Sequence, residues 1–426
     1  MALKGNHSRI VLFFIVFTDM MGFSLLFPLF PKTIEHFLQK GDDPVFRLFF
    51  DWAGYLSSQG NSPYTMVLFG GILGSIYSLL QFLASPLWGR YSDKVGRRSV
   101  LLFTTFGNIL GYLVWIFSSQ FWMFVLSRVI TGAMGGNLSV ASAAMADHTD
   151  SKNRAAGMGL LGAGIGLGFV MGPLLGGISS QWTILDSFYE SGLFVVFPSS
   201  AGFAILISII TFLLVLFFLP KTKPDFVSTG EIHPLFALRS SGSQALVRIS
   251  LLNLLFVLSF SGFEFVVNFY LAEGFMFSPK EIGFTFLYIG IIIILVQGGL
   301  VRRLSGKWTE KKIVFVGVCS VLFGLLSLLA TNGSFGGLFF SLFFLALGSA
   351  LVNPGLSAFA SLASGHSDLG KSMGLFRSFG SLGRAISPIA FSLLYFQKGP
   401  GLAFYTSFLL LLGFLYFLRN TREIKI

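Results

Sequence analysis

The feature that most constrains this chain is a series of twelve apolar segments, each of about 20 residues or more. A bilayer core of about 30 Å is crossed by roughly 20 helical residues, which makes each segment long enough to span it. The segments lie near residues 9–34, 65–87, 98–119, 121–146, 154–178, 197–219, 247–272, 282–301, 311–331, 335–361, 370–395 and 400–418. We therefore predict an all-α polytopic membrane protein with twelve transmembrane helices.

Composition points to lipid as the surrounding solvent. Hydrophobic residues make up 54% of the chain and charged residues 11%, and the mean hydropathy is +0.79. This leaves too little polar surface to cover a soluble protein. Segments of alternating polar and apolar residues, which a membrane β-barrel requires, are absent from the pattern.

Basic residues cluster in alternate loops, and this bias predicts the orientation in the membrane. Arg90 and Lys94 lie on the basic side, whereas Lys40 and Lys280 are among the few on the other side. We expect both termini in the cytoplasm and the protein in the cytoplasmic (inner) membrane. The net charge of +11 follows from the same bias, so we expect no nucleic-acid partner.

Two sequence patterns occur twice. The stretch 85–94 aligns with 298–307 at an offset of 213 residues, and the spacing of Gly159, Gly168 and Pro173 recurs in Gly374, Gly383 and Pro388. Two parallel six-helix repeats explain both patterns. The predicted domains are an N-terminal bundle at 1–219, a cytoplasmic linker at 220–246 and a C-terminal bundle at 247–426.

The loop after the second span has the sequence Gly89-Arg-Tyr-Ser-Asp93-Lys-Val-Gly96-Arg97-Arg98. Its glycines permit a tight turn, Asp93 can accept from a helix N-terminus, and the arginines can pair with nearby acids. The sequence resembles the signature loop of the major facilitator superfamily, Gly-x-x-x-Asp-x-x-Gly-Arg-Arg/Lys. The resemblance implies two six-helix halves and transport by alternating access.

Spans 4 and 5 strengthen this resemblance. Arg128 and Gly132 match the Arg-x-x-x-Gly motif of proton-coupled members, although Thr131 stands where Gln is usual. The segment that includes Asp147 and Arg154 is similar to the corresponding segment of tetracycline efflux proteins. Span 5 then carries Gly159, Gly168, Gly172, Pro173, Gly176 and Gly177, as in the antiporter motif of the family. The resemblance implies a gating helix, bent at its proline and closely packed through small residues.

Four charged residues lie inside predicted spans, where a charge is costly and usually functional: Asp19, Arg128, Glu264 and Arg384. Poor solvation favours the protonated form of a carboxyl group, whereas a nearby arginine favours the charged form. We predict that Asp19 carries the proton and that Arg128 modulates it. Asp19 also fits the first-span pattern of the family, acid-x-x-Gly. A static Asp19–Arg128 salt bridge is the alternative.

Glu264 is predicted to be either a second proton site or an anchor for a cationic substrate. Aromatic surfaces with a few polar groups suit amphipathic compounds. The predicted substrate cavity therefore includes Asn137, Phe263, Glu264, Asn268, Gln297 and Arg384. Arg384 could instead tie span 11 to a neighbouring helix.

These features predict a secondary transporter, and the span 5 motif favours proton-coupled efflux of small amphipathic compounds or drugs. A nutrient or sugar symporter of the same fold is the main alternative, and a non-transporting membrane scaffold is another. No enzyme activity is expected, because no Ser/His/Asp set or phosphate-binding loop is present. We expect a monomer without cofactor or metal, whose partners are a small-molecule substrate, protons and the lipid bilayer.

Overall fold

The computed structural model describes residues 2–40, 43–56, 64–149, 154–185, 195–221, 244–304, 307–331, 333–363 and 369–421. The helices within these ranges are α1 (Ala2–Ser24), α2 (Phe30–Lys40), α3 (Pro44–Leu56), α4 (Thr65–Val95), α5 (Arg97–Ile116), α6 (Phe121–Met134), α7 (Asn137–Asp147), α8 (Arg154–Ser179), α9 (Pro198–Phe218), α10 (Gln244–Gly274), α11 (Pro279–Leu295), α12 (Arg302–Leu304), α13 (Glu310–Leu329), α14 (Phe335–Ala363), α15 (Leu369–Lys398) and α16 (Pro400–Arg419). Twelve helical stretches are long and apolar enough to cross a membrane, which confirms the predicted number of spans.

Three of the twelve spans are interrupted helices. Span 1 joins α1 to α2 through a 3₁₀ turn at Phe27–Leu29, span 4 joins α6 to α7 at Gly135 and Gly136, and span 8 joins α11 to α12 through a π-helical turn at Val296–Val301. A proline or glycines lie at each interruption, as expected where the regular hydrogen-bond ladder is broken. Spans 2, 3, 5, 6 and 7 are α4, α5, α8, α9 and α10, and spans 9 to 12 are α13 to α16.

The chain divides into two compact units. The described residues of unit 1 come from Met1–Gly60, Ile76–Gly230 and Phe277–Phe286, and those of unit 2 from Asn61–Ser75, Glu231–Met276 and Leu287–Ile426. The beginning of span 2 thus groups with unit 2, and the beginning of span 8 with unit 1. Most of the predicted linker at 220–246 lies outside the described residues, so the predicted domain boundaries stay a prediction.

In unit 1, span 1 packs closely along span 5. A Cβ atom on Gly168 would lie only 2.6 Å from the Phe17 carbonyl oxygen, so the two backbones are nearly in contact. Lipid is as apolar as the helix interior, and close packing therefore stabilises the pair more than exclusion of water does. The apolar side chains around this pair, from Leu12 on span 1 to Val215 on span 6, are fully buried.

In unit 2, span 7 packs along span 11 in the equivalent way. A Cβ atom on Gly383 would lie 3.1 Å from the Leu258 amide nitrogen and 3.2 Å from the Leu254 carbonyl oxygen. Gly383 is the repeat counterpart of Gly168, and spans 7 and 11 are the counterparts of spans 1 and 5. The duplication read from glycine spacing therefore corresponds to a duplicated helix contact.

Candidate functional site

Asp19 lies in the interior of unit 1, with only 4% of its surface exposed. Side-chain amide groups donate hydrogen bonds to its carboxylate from three other spans. These donors are Gln81 Nε2 at 3.3 Å, Asn108 Nδ2 at 3.4 Å and Asn137 Nδ2 at 3.3 Å. Thr104 Oγ1 donates in turn to Asn137 Oδ1 at 2.5 Å and orients that amide. Asp19 is thus held by neutral groups, and its described contacts include no ion pair.

A small polar cavity adjoins this carboxylate within unit 1. It is lined by Ile15, Thr18, Asp19, Thr105, Asn108, Asn137, Ser208 and Thr211, from spans 1, 3, 4 and 6. The space available to the centre of a water molecule is about 10 Å³, close to the minimum that one buried water needs. The hydroxyl oxygens of Thr18 and Thr211 lie 2.8 Å apart at its edge. The site therefore offers a carboxylate, hydroxyl groups and room for a proton-carrying water.

Arg128 is as deeply buried as Asp19, but among aromatic rings. Its guanidinium carbon lies 5.4 Å from the ring centroid of Trp115, 5.6 Å from that of Phe124 and 6.0 Å from that of Tyr112. Arg128 Nη2 donates to Ser127 Oγ at 2.8 Å, whereas its buried Nε has no hydrogen-bond partner. Cation–π contacts of this kind partly compensate a buried positive charge.

The structure places no ion pair between Asp19 and Arg128, so a static salt bridge, one of the two alternatives from the sequence, is not found. Tyr77 and Tyr112 interact electrostatically with both charged groups and lie in the same buried region. Modulation of Asp19 by Arg128 stays a prediction.

Four polar residues of this region were missed in the sequence: Tyr77, Gln81, Asn108 and Tyr112. The rule that polar groups inside spans are usually functional applies to amides as well as to charges, and it would have selected Gln81 and Asn108. Asn137, which was predicted to line a substrate cavity, donates to Asp19 and lines the small cavity beside it; a role in binding substrate stays a prediction. The tyrosines could not be recognised, because only the packing of helices brings them near Arg128.

Glu264 and Arg384 form the second group of intramembrane charges, in unit 2. Glu264 on span 7 and Arg384 on span 11 interact electrostatically, although their charged atoms do not form a direct ion pair. Arg384 Nη2 donates to Ser381 Oγ at 3.2 Å on its own helix. Glu264 is therefore a candidate partner for the predicted tie between Arg384 and a neighbouring helix, and the tie stays a prediction.

The other residues of the predicted substrate cavity do not gather around Glu264. The ring of Phe263 is buried, with its centroid 5.6 Å from that of Phe404, because this face of span 7 packs on span 12. Asn268 Nδ2 donates to the Glu264 and Phe265 carbonyl oxygens of its own helix. Gln297 is exposed in the π-helical turn of span 8. Phe263 is thus seen in interior packing, and a cavity-lining role for it stays a prediction.

The signature loop joins the ends of four spans in unit 1, spans 2, 3, 4 and 6. Arg97 Nη1 lies 2.5 Å from Asp93 Oδ1, and Arg97 Nε donates to Asp147 Oδ2 at 3.0 Å. Arg98 Nη2 donates to the Leu216 carbonyl oxygen at 2.5 Å, at the end of span 6. The predicted pairing of arginines with nearby acids is confirmed for Arg97. The Arg154 side chain lies outside the described residues.

The two glycines of this loop have different structural roles. Gly96 has φ 93°, a conformation that residues with a side chain rarely adopt, and it ends span 2 where span 3 begins. Gly89, in contrast, is a helical residue of α4, and its carbonyl oxygen accepts from Ser92 Oγ at 2.6 Å. The expected tight turn is therefore made by Gly96 alone.

The glycines of span 5 serve mainly for close contact. Side chains on Gly172 and Gly176 would overlap Ser24 and Leu25 of span 1, and a Cβ on Gly177 would lie 2.5 Å from the Pro279 carbonyl oxygen. Gly159 has no such neighbour within 4 Å. Pro173 lies inside a continuous helix, and its carbonyl oxygen would be 2.8 Å from a Cβ on Gly283. Movement of this helix as a gate stays a prediction.

Residues 12–331 and 300–425 match the family model of the Major Facilitator Superfamily. Major facilitator superfamily domain-containing protein 10 of Mus musculus is 31% identical over 95% of this chain and 91% of its own length. The class B tetracycline resistance protein of Escherichia coli is 27% identical over 95% of each chain.

The fold agrees with these sequence matches. The crystal structure of the human organic anion transporter MFSD10 is similar with a TM-score of 0.76 and 29% identity, over 97% of this chain and 99% of that one. Together with the twelve spans and the family match over nearly the whole chain, this similarity shows what the protein is. The chain belongs to the major facilitator superfamily and is an integral, multi-pass membrane transporter.

Proposed function

We propose that this transporter exchanges protons for small amphipathic compounds and exports them by alternating access. The proposal rests on the surroundings of Asp19, a buried carboxyl group that accepts hydrogen bonds from three amides and has no cation partner among the described residues. A fixed cation would keep the group charged in every state. Amides can donate to a carboxylate and, after rotation, accept from a carboxylic acid, so the site suits both protonation states.

The local geometry also offers a route for the proton. The polar cavity next to Asp19 has room for about one water molecule, and the Thr18–Thr211 hydroxyl pair lies at its edge. The buried acceptor atom Asn108 Oδ1 has no partner among the described residues and could accept from such a water or from protonated Asp19. Relatives that are tetracycline resistance proteins support export as the direction.

The test is transport in proteoliposomes that hold a pH-sensitive dye, with substrates of different charge and with or without an imposed pH gradient. We expect protons to move opposite to the substrate. In Asp19→Asn, gradient-driven transport should fall to the rate seen without a gradient, while substrate exchange at equal pH continues. Asp51→Asn, which changes an exposed acid in α3, is the matched control and should behave as the parent protein.

The outcomes separate the alternatives. Protons and substrate moving in the same direction would identify a symporter. Full gradient-driven transport by Asp19→Asn would contradict the role of Asp19. Loss of both gradient-driven transport and exchange would indicate a binding or folding defect, which gel filtration in detergent distinguishes.

Organic anions are a second candidate substrate class, and Arg128 favours them. Its buried guanidinium group has an unpartnered Nε and no acidic partner within ion-pair distance among the described residues. The human organic anion transporter MFSD10 is 29% identical to this chain, which supports this substrate class. In the substrate panel, Arg128→Gln should then reduce transport of anions more than that of neutral compounds. Equal losses for both would exclude a charge-selective role.

A further inference from the structure

Glu273 is a membrane-embedded acid that the proposed function does not use. It lies one residue before the end of α10, which is span 7. An odd-numbered span ends on the side opposite the N terminus, so Glu273 lies near that surface. Its side chain is partly buried, and its Oε1 atom is fully buried and has no hydrogen-bond partner in the part of the chain that the structure describes.

The other carboxylate oxygen is held by a tyrosine of span 11. Tyr395 OH donates to Glu273 Oε2 at 3.0 Å, and Tyr395 is only 1% exposed. The ring of Tyr64, just before span 2, meets the ring of Tyr395 edge-on, with the centroids 5.1 Å apart. We call Glu273, Tyr395 and Tyr64 the Glu273 cluster. It joins the ends of spans 2, 7 and 11, and all three residues belong to unit 2.

Further contacts continue from this cluster along spans 2 and 11. A side chain on Gly71 would overlap Ser392, and the Ile389 amide donates to Ser75 Oγ at 2.9 Å. Ser392 is fully buried, and a Cβ on Gly71 would also lie 2.8 Å from the Pro388 carbonyl oxygen. The two helices are therefore closely packed at these contacts.

Among the described residues, no cation is found to compensate Glu273. The titratable groups that face it directly or through Tyr395 are Tyr395, Tyr64 and Tyr270, and its described interactions include no Lys, Arg or His. A carboxylate with one hydrogen bond and one fully buried, unpartnered oxygen is strongly disfavoured. The neutral acid fits the packed arrangement, whereas the charged form requires water or a new donor at Oε1.

We propose that Glu273 is a second proton-binding site, separate from Asp19, whose neutral form keeps the ends of spans 2, 7 and 11 together. Loss of the proton to the solution on that side leaves a carboxylate that must be hydrated, and hydration separates span 2 from span 11. Proton release and opening of this end are thus one linked equilibrium. A single linked proton changes the opening equilibrium by up to about tenfold for each pH unit.

The test measures opening directly through a buried thiol. In a Cys319→Ser background, Ser392→Cys introduces a cysteine of similar size at the contact with Gly71. An impermeant maleimide is added on the side opposite the termini, without substrate or gradient. Because thiol reactivity itself rises with pH, the labelling rate is divided by that of an exposed Gly401→Cys variant.

We expect the corrected labelling rate to rise with pH, by up to about tenfold per unit, and to stay low at every pH in Glu273→Gln. Glu273→Asp, which still titrates, should keep a pH response. Glu35→Gln, at an exposed acid paired with Lys32, should match the parent protein. A Glu273→Gln profile identical to the parent profile, or no pH dependence in the parent, would overturn the proposal.

This experiment is independent of the proposed export function, because it needs neither transport nor Asp19. Tyr395→Phe keeps the ring against Tyr64 but removes the hydrogen bond to Glu273, and we expect faster labelling at low pH. If labelling were unchanged in Tyr395→Phe and the Glu273→Gln profile were also unchanged, the Glu273 cluster would only pack the helices together.

Discussion

The intramembrane acids of the two repeats, Asp19 and Glu264, have different surroundings. In the first repeat, Asp19 receives hydrogen bonds from three amides, and the arginine of the same region lies among aromatic rings. In the second repeat, Glu264 interacts with Arg384 of span 11, and the nearby amide of Asn268 bonds only to its own helix. The first acid thus has neutral hydrogen-bond donors, whereas the second has an arginine on a neighbouring span. We propose that the first repeat exchanges protons and that the second recognises substrate charge.

Their helix contacts, in contrast, correspond closely. Polar side chains link span 1 to span 6 through Thr18 and Thr211, and span 7 to span 12 through Ser259 and Ser407. The Pro173 carbonyl oxygen of span 5 approaches Gly283 of span 8, and that of Pro388 of span 11 approaches Gly71 of span 2. Duplication has thus preserved the packing while the charged groups diverged.

The largest expected effect tests the shared packing. Gly168→Ala should lower the free energy of unfolding by about 1–3 kcal/mol, because its Cβ would meet the fixed backbone of span 1 at 2.6 Å. Gly383→Ala should lower the free energy of unfolding by less, since the atom nearest to its Cβ would lie at 3.1 Å. Gly159→Ala and Gly374→Ala, with nothing within 4 Å, are matched controls in each repeat. SDS titration of the purified protein measures the difference, and equal losses at all four sites would refute the packing argument.

Asn137 and Asn268 have different hydrogen-bond partners near the two acids, so their substitutions should have different effects. Asn137→Ala removes a hydrogen bond to the Asp19 carboxylate, and bonds to charged groups contribute about 1.5–3 kcal/mol, so coupled transport should fall about tenfold or more. Asn268→Ala removes bonds to span 7's own carbonyl oxygens and should change transport little. Proton flux in proteoliposomes is the measurement. Similar losses for both variants would mean that the repeats do not differ in this respect.

The electrostatic interaction of Glu264 with Arg384 predicts a change in selectivity. Glu264→Gln leaves Arg384 without its partner, so transport of cationic compounds should fall several-fold relative to neutral ones, by unscreened repulsion in a poorly solvated site. Arg384→Gln should have the opposite effect, so transport of cationic compounds should rise relative to that of neutral ones. Competition assays with cationic, neutral and anionic compounds measure both ratios. Losses that are independent of substrate charge would make Glu264 a coupling acid instead.

The smallest effect concerns the signature loop. Asp93 pairs with Arg97 near the surface, and the aligned position in the second repeat is Gly306. The Asp93 side chain is 26% exposed, so Asp93→Asn should cost about 1 kcal/mol or less in stability. Asp147→Asn, which removes the second acid bonded to Arg97, serves as the comparison. A melting-temperature loss much larger than this would show that the loop does more than join helix ends.

Much of the architecture was predictable from local sequence. Twelve apolar segments specify twelve spans, because helix length and bilayer thickness leave little choice, and Gly96 indicated the turn at φ 93°. The Gly168 and Gly383 spacing predicted the repeat. Asp19 was found as a buried charge, since few such residues occur inside spans.

Tertiary structure alone decided which side chains meet. Gln81, Asn108 and Asn137 come from three spans, and no local pattern shows that all of them point to Asp19. The rotation of each helix about its own axis likewise cannot be read from the sequence. Lipid and protein interior are equally apolar, so the sequence has no amphipathic pattern that shows which face points inward. For this reason the contact between Phe263 and Phe404 could not be predicted. The sequence by itself determined the number of helices and the repeat, and the rotation of each helix determined the site.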